Sequence, residues 1–135
     1  MKIAVIDSPL PMGEYSDVVS IHYDGHLTIN IDPGTNGDSQ VQVTFDKPHG
    51  FRVLDEGDLS YWSDPRLVEN WFFEVLDGGW LRSEHGGQLA IATTAPAMRE
   101  FLICSSNDCV SVLSPKPPII RTKTKSEQPD AMDSR

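Results

Sequence analysis

Two-residue alternation of apolar and polar side chains over residues 19–46 constrains this chain more than any other feature. Val19, Ile21 and Tyr23 point one way while Ser20, His22 and Asp24 point the other; Leu27, Ile29 and Ile31 then alternate with Thr28 and Asn30. A period of two marks strands with one face on a core and the other in water. The pattern also selects the register of the hairpin between them. A two-residue loop of Asp24 and Gly25 sets Ile21 opposite Thr28 and mixes the faces. A three-residue loop of Asp24, Gly25 and His26 pairs Tyr23 with Leu27 and Ile21 with Ile29. Because a slip of one residue reverses every side chain, the three-residue loop is predicted. A glycine-rich connection over 32–39 leads to a third strand, in which Val41, Val43 and Phe45 alternate with Gln42, Thr44 and Asp46. Lys47, Pro48, His49 and Gly50 then turn the chain into a fourth, Phe51, Arg52, Val53 and Leu54.

The middle of the chain supports two local structures. Asp64 followed by Pro65 makes a good helix start, and Leu67, Val68, Trp71, Phe72, Val75 and Leu76 recur at helical spacing up to Gly78 and Gly79. This predicts a helix over 65–76. The rival is a hairpin in which Trp71, Phe73 and Val75 alternate, with Gly78 and Gly79 turning into Trp80, Leu81 and Arg82. Further strands are expected at the N-terminus and over 88–93, 101–105 and 109–113, the last two apolar on both faces as in sheet interiors covered on both sides. The expected fold is α+β and mostly β: an antiparallel sheet or sandwich with one helix near 65–76.

At 135 residues the chain suits one domain. It has no apolar run of the roughly 18 residues that a bilayer span needs, and the apolar start Ile3, Ala4, Val5, Ile6 is too short for a secretory leader, so a cytoplasmic location is expected. The globular domain is read as 1–118, and the polar stretch 119–135 as a disordered tail. Residues 1–114 hold 17 acidic and 6 basic side chains, a balance of −11, while the last 21 residues hold 3 and 5, or +2. An acidic body repels nucleic acid and favours basic partners, although net charge also serves solubility.

Several residue groups invite a chemical reading. Asp55, Glu56 and Asp58 put three carboxylates in four residues beside Tyr61 and Trp62. Such a group can bind a cation, raise one carboxyl pKa, cap a short helix or face a basic partner; the calcium-loop spacing is absent. His22, His26, His49 and His85 lack the spacing of a zinc site. No nucleophile elbow or phosphate loop occurs, so no catalytic residue and no cofactor are assigned. Trp62, Trp71 and Trp80 read as fillers of one core. Cys104 and Cys109, the two cysteines present, flank Ser105, Ser106, Asn107 and Asp108. Packed thiols are expected there, and a cross-strand pair is geometrically allowed if the loop has two residues.

The run from Gly50 to Leu59 with Trp62, the run from Phe73 to Leu81, and Glu100, Phe101, Leu102 and Ile103 continuing through Asn107, Asp108, Cys109 and Val110 together resemble small bacterial proteins of the immunity type, encoded beside secreted polymorphic toxins. The likeness covers about residues 45–118, carries over no catalytic residue and implies an interaction role. The leading expectation is therefore a non-catalytic binding protein that neutralises a basic partner. Asp55, Glu56 and Asp58 would steer that partner, and Tyr61 or Trp62 would supply buried contact area. The alternatives are a small metal-dependent or carboxylate-using hydrolase and a structural subunit of a phage-like or cellular assembly.

Overall fold

The first hairpin pairs as the alternation requires. In a computed structural model that describes residues 2–10, 16–35, 37–55, 66–83 and 97–124, β2 (Asp17–Tyr23) and β3 (His26–Asp32) run antiparallel with Tyr23 opposite Leu27 and Ile21 opposite Ile29. Gly25 takes a φ of 99°, a conformation open to glycine, and the Asp24 carboxylate accepts the His26 amide at 3.1 Å to tighten the turn. The alternation breaks at one place. A bulge between Val18 and Ser20 makes Val18, not Val19, the residue opposite Ile31; Val18 packs on the core while Val19 is exposed.

β4 (Ser39–Asp46) adds to β3, and together with β9 (Ile119–Thr124) these make a four-stranded antiparallel sheet in the order β2-β3-β4-β9. A second antiparallel sheet has the order β1-β6-β7-β8-β5, from β1 (Lys2–Val5), β5 (Gly50–Asp55), β6 (Phe72–Asp77), β7 (Arg99–Cys104) and β8 (Asp108–Ser114). The two sheets face each other through Leu27, Ile29, Ile31, Val41, Val43 and Phe45 on one side and Trp71, Phe72, Phe101, Ile103, Val110 and Val112 on the other. The rings of Phe45 and Phe101 lie 5.4 Å apart and those of Trp71 and Phe72 5.2 Å apart. Each such burial contributes about 1.5–3 kcal/mol relative to exposure, which is why these aromatic and branched residues dominate the inter-sheet layer.

The far face of the five-stranded sheet is also apolar. Ile3, Phe73, Val75, Leu102 and Cys109 form a second buried cluster, with Leu54, Leu67 and Cys104 packed against it. This matches the expectation for 101–105 and 109–113 and explains why the helix over 65–76 does not form. Residues Arg66–Glu69 make a single turn, α1, but Phe72–Asp77 is β6, hydrogen-bonded between β1 and β7. A strand covered on both faces is a continuous apolar run, and such a run fits a helical template equally well. Leu76 and Phe73 distinguish the two: the helix would bury Leu76, which is 51% exposed, whereas Phe73, outside the helical stripe, is fully buried. The rival hairpin is corrected as well. After Gly78, at φ 80°, the chain enters a second single turn, α2 (Trp80–Ser83), and not a strand paired with β6. The α part of the expected α+β fold is thus reduced, among the described residues, to two four-residue turns. The start signal at Asp64 and Pro65 and the strand expected over 88–93 lie outside the described residues.

The expected tail also begins too early. Residues 119–124 are β9, with Ile120 opposite Val43 and packed against the inter-sheet core. The proline-rich stretch 115–118 is the crossover between sheets. An edge strand needs few apolar side chains, because its backbone hydrogen bonds to β4 supply the pairing and Ile120 the anchor. Residues 125–135 lie outside the described residues.

Candidate functional site

Strand ends from both sheets bring four carboxylates to one end of the sandwich. β7 and β8 are joined by a tight turn in which the Ser105 amide donates to the Asp108 carbonyl at 2.9 Å, and the Ser105 hydroxyl accepts the Asp108 amide at 3.1 Å. The loop proper is thus Ser106 and Asn107. Asp108, first residue of β8, stands opposite Asp55, last residue of β5. Ser106 then ties this corner to the other sheet: its amide donates to the Ser16 carbonyl at 2.9 Å and its hydroxyl to the same oxygen at 2.6 Å. Asp17 follows directly, opposite Asp32 at the end of β3. The Asp32 carboxylate accepts the Gly34 amide at 2.9 Å, which holds the following turn.

The register sets acidic residues opposite one another at this end, Asp17 with Asp32 and Asp55 with Asp108, an arrangement that sheets ordinarily disfavour. The other end of the four-stranded sheet is mixed in charge. There Asp46 meets His26 Nδ1 at 3.0 Å and Lys116 Nζ at 3.4 Å, while His22 lies 3.6 Å from Asp24. The two histidines therefore face different aspartates. Among the described residues, no group of three or more His, Cys, Asp or Glu side chains is arranged to hold a metal ion.

Of the residues singled out from the sequence, Asp55 is placed at this acidic end, exposed; Glu56, Asp58, Tyr61 and Trp62 lie outside the described residues. Asp17, Asp32 and Asp108 were not singled out. Each stands at the first or last position of a strand, and their convergence depends on which strands pair.

A fifth carboxylate plays a different part. Glu100 is 2% exposed, and its oxygens accept the backbone amides of Trp80 at 2.9 Å and Leu81 at 2.8 Å. Burial pushes its carboxyl above the ordinary value, against the opposing pull of those two amides and of the Arg52 charge. A Cβ on Gly79 would stand 2.6 Å from Glu100 Oε2 and from Val75 Cγ1, so only glycine admits this close approach. The Arg52 guanidinium lies 4.6 Å from the Trp80 ring centroid. Glu100 thus clasps α2 onto the far face of the five-stranded sheet, and its accepting oxygens are occupied by that task. The tryptophans accordingly do not fill one core: Trp71 sits between the sheets and Trp80 on the opposite face, while Trp62 lies outside the described residues.

Comparison with protein-family models, with curated proteins and with solved structures finds no match to this chain.

Proposed function

We infer that this chain is a non-catalytic binding protein whose acidic end engages a basic protein, and that it serves as an immunity-type inhibitor of a basic toxin in the cytoplasm. The observation that carries the reading is the convergence of Asp17, Asp32, Asp55 and Asp108 from four strands and both sheets. Asp55 leads directly into the stretch bearing Glu56, Asp58, Tyr61 and Trp62. Acidic side chains gathered at one end of the sandwich create a local negative field. Such a field speeds encounter with a Lys- or Arg-rich surface and rejects acidic competitors, while aromatic contact area supplies the slow dissociation. Neutralisation is then steric: a small domain seated over a basic active surface blocks it without chemistry.

The test is capture from a lysate of the source cell on the immobilised full chain, alongside an Asp55→Asn, Asp108→Asn double variant, with washes at low and high salt. The expected result is one basic protein retained at low salt, weakened by high salt and lost first from the variant. Equal retention on variant and parent at every salt concentration would remove the acidic end from the mechanism.

A further inference from the structure

We propose that Cys104 and Cys109 form a site of reversible oxidation that closes to a cross-strand disulfide in exchange with low-molecular-weight disulfides such as oxidised glutathione. The two residues are directly opposite one another in the β7–β8 hairpin. The hydrogen bonding identifies which kind of pair they are. Ser105 donates to Asp108, so the next pair inward, Cys104 and Cys109, exchanges no backbone hydrogen bonds across the hairpin; Cys104 instead donates to Trp71 on the β6 side at 2.7 Å. Non-hydrogen-bonded pairs bring Cα atoms to about 4.5 Å with side chains close together, a separation within the range that a disulfide bridges. The pleat sends both side chains to the same face, where both belong to the far-face cluster with Leu54 and Leu102. Their chemistry is also asymmetric: Cys104 is half-buried and Cys109 buried, so a small reagent reaches Cys104 first.

The exchange balances without a metal or cofactor. The Cys104 thiolate attacks one sulfur of glutathione disulfide and expels one glutathione thiolate. The Cys109 thiolate then attacks Cys104 Sγ, forms the intramolecular bond and expels the second glutathione. Two electrons pass from the protein to the glutathione pair, and the two thiol protons end on the two released glutathiones. Because the chain contains only these two cysteines, no other internal disulfide competes. The closed bridge staples the turn that presents Asp108. The site itself stands independently of the binding role inferred above.

The experiment equilibrates the intact folded chain in glutathione buffers of increasing oxidised fraction, quenches with an alkylating reagent and reads the mass. The expected result is loss of both alkylatable thiols at a single midpoint, a monomer lighter by two hydrogens, full reversal by dithiothreitol, and a cooperative urea transition in both forms. The Cys109→Ser variant should stop at a glutathione adduct on Cys104. Retention of both thiols in the folded chain under buffers that fully oxidise the urea-unfolded chain would overturn the proposal, as would oxidation that yields only glutathione adducts or intermolecular dimers.

Discussion

The two sheets use the same antiparallel pairing but treat their outer faces in opposite ways. On the four-stranded sheet the outer face is polar, and a ladder crosses it from strand to strand. Asn30 donates to Ser20 at 2.9 Å, Gln42 donates to Asn30 at 3.1 Å, and Arg121 donates to Gln42 at 2.6 Å. On the five-stranded sheet the outer face is apolar and buried, and a deeply buried carboxylate there, Glu100, is spent on the backbone of α2. The first sheet is stabilised on one side by apolar burial and on the other by side-chain hydrogen bonds whose central member, Gln42, is itself 7% exposed. The second depends on burial twice. Alternation is readable only in the first case, because water on one face is what makes the pattern alternate.

The largest test of that contrast is truncation on the far face. Phe73→Ala should cost about 3–5 kcal/mol, as much as Phe45→Ala in the inter-sheet layer, read as a shift in the urea midpoint at constant slope. A cost below about 1 kcal/mol for Phe73→Ala would mean that the far face is not a second core. Next in size is Glu100→Ala, which strands two amides and should cost about 1–3 kcal/mol. Its pH dependence gives a sharper reading. Burial holds this carboxyl above 4.5 in the folded chain, so the folded state keeps the proton longer than the unfolded state does. Stability from this group is therefore lost as pH rises from about the ordinary carboxyl value through the raised one. Glu100→Gln, which does not titrate, should gain on the parent across that rise in paired unfolding curves. A constant difference between the two proteins from acid to neutral pH would show that burial does not govern Glu100.

The smallest effect belongs to the polar face. Gln42→Ala should cost about 0.5–1.5 kcal/mol, with an Asn30→Ala, Gln42→Ala double-mutant cycle giving a coupling of the same sign. Additive single effects would reduce the ladder to surface decoration and make the two outer faces less different than their geometry suggests.

Bulge and edge show where local reading stops. Val19 continues the alternation of Ile21 and Tyr23, yet the extra residue at the bulge turns it outward and puts Val18 on the core. In β9 the β-branched residues Ile119, Ile120, Thr122 and Thr124 carry a strand signal, but the neighbouring prolines and charges outweigh it in composition. At the candidate site, Asp55 was legible as part of an acidic run. Asp17, Asp32 and Asp108 were not, since isolated aspartates at strand ends are ordinary until the strands are paired.

By itself, the sequence determined the faces of β3 and β4 and of β2 from Ser20 onward, the three-residue turn at Asp24, the acid excess of the body and the apolar character of β7 and β8. Each follows from side chains within a few residues of one another. Only the tertiary structure decided that Phe72–Asp77 is a strand between β1 and β7, that Ile119–Thr124 closes the four-stranded sheet, and that four aspartates share one end. These depend on backbone hydrogen bonds between segments far apart in the chain, where local period and propensity are the same whichever partner arrives.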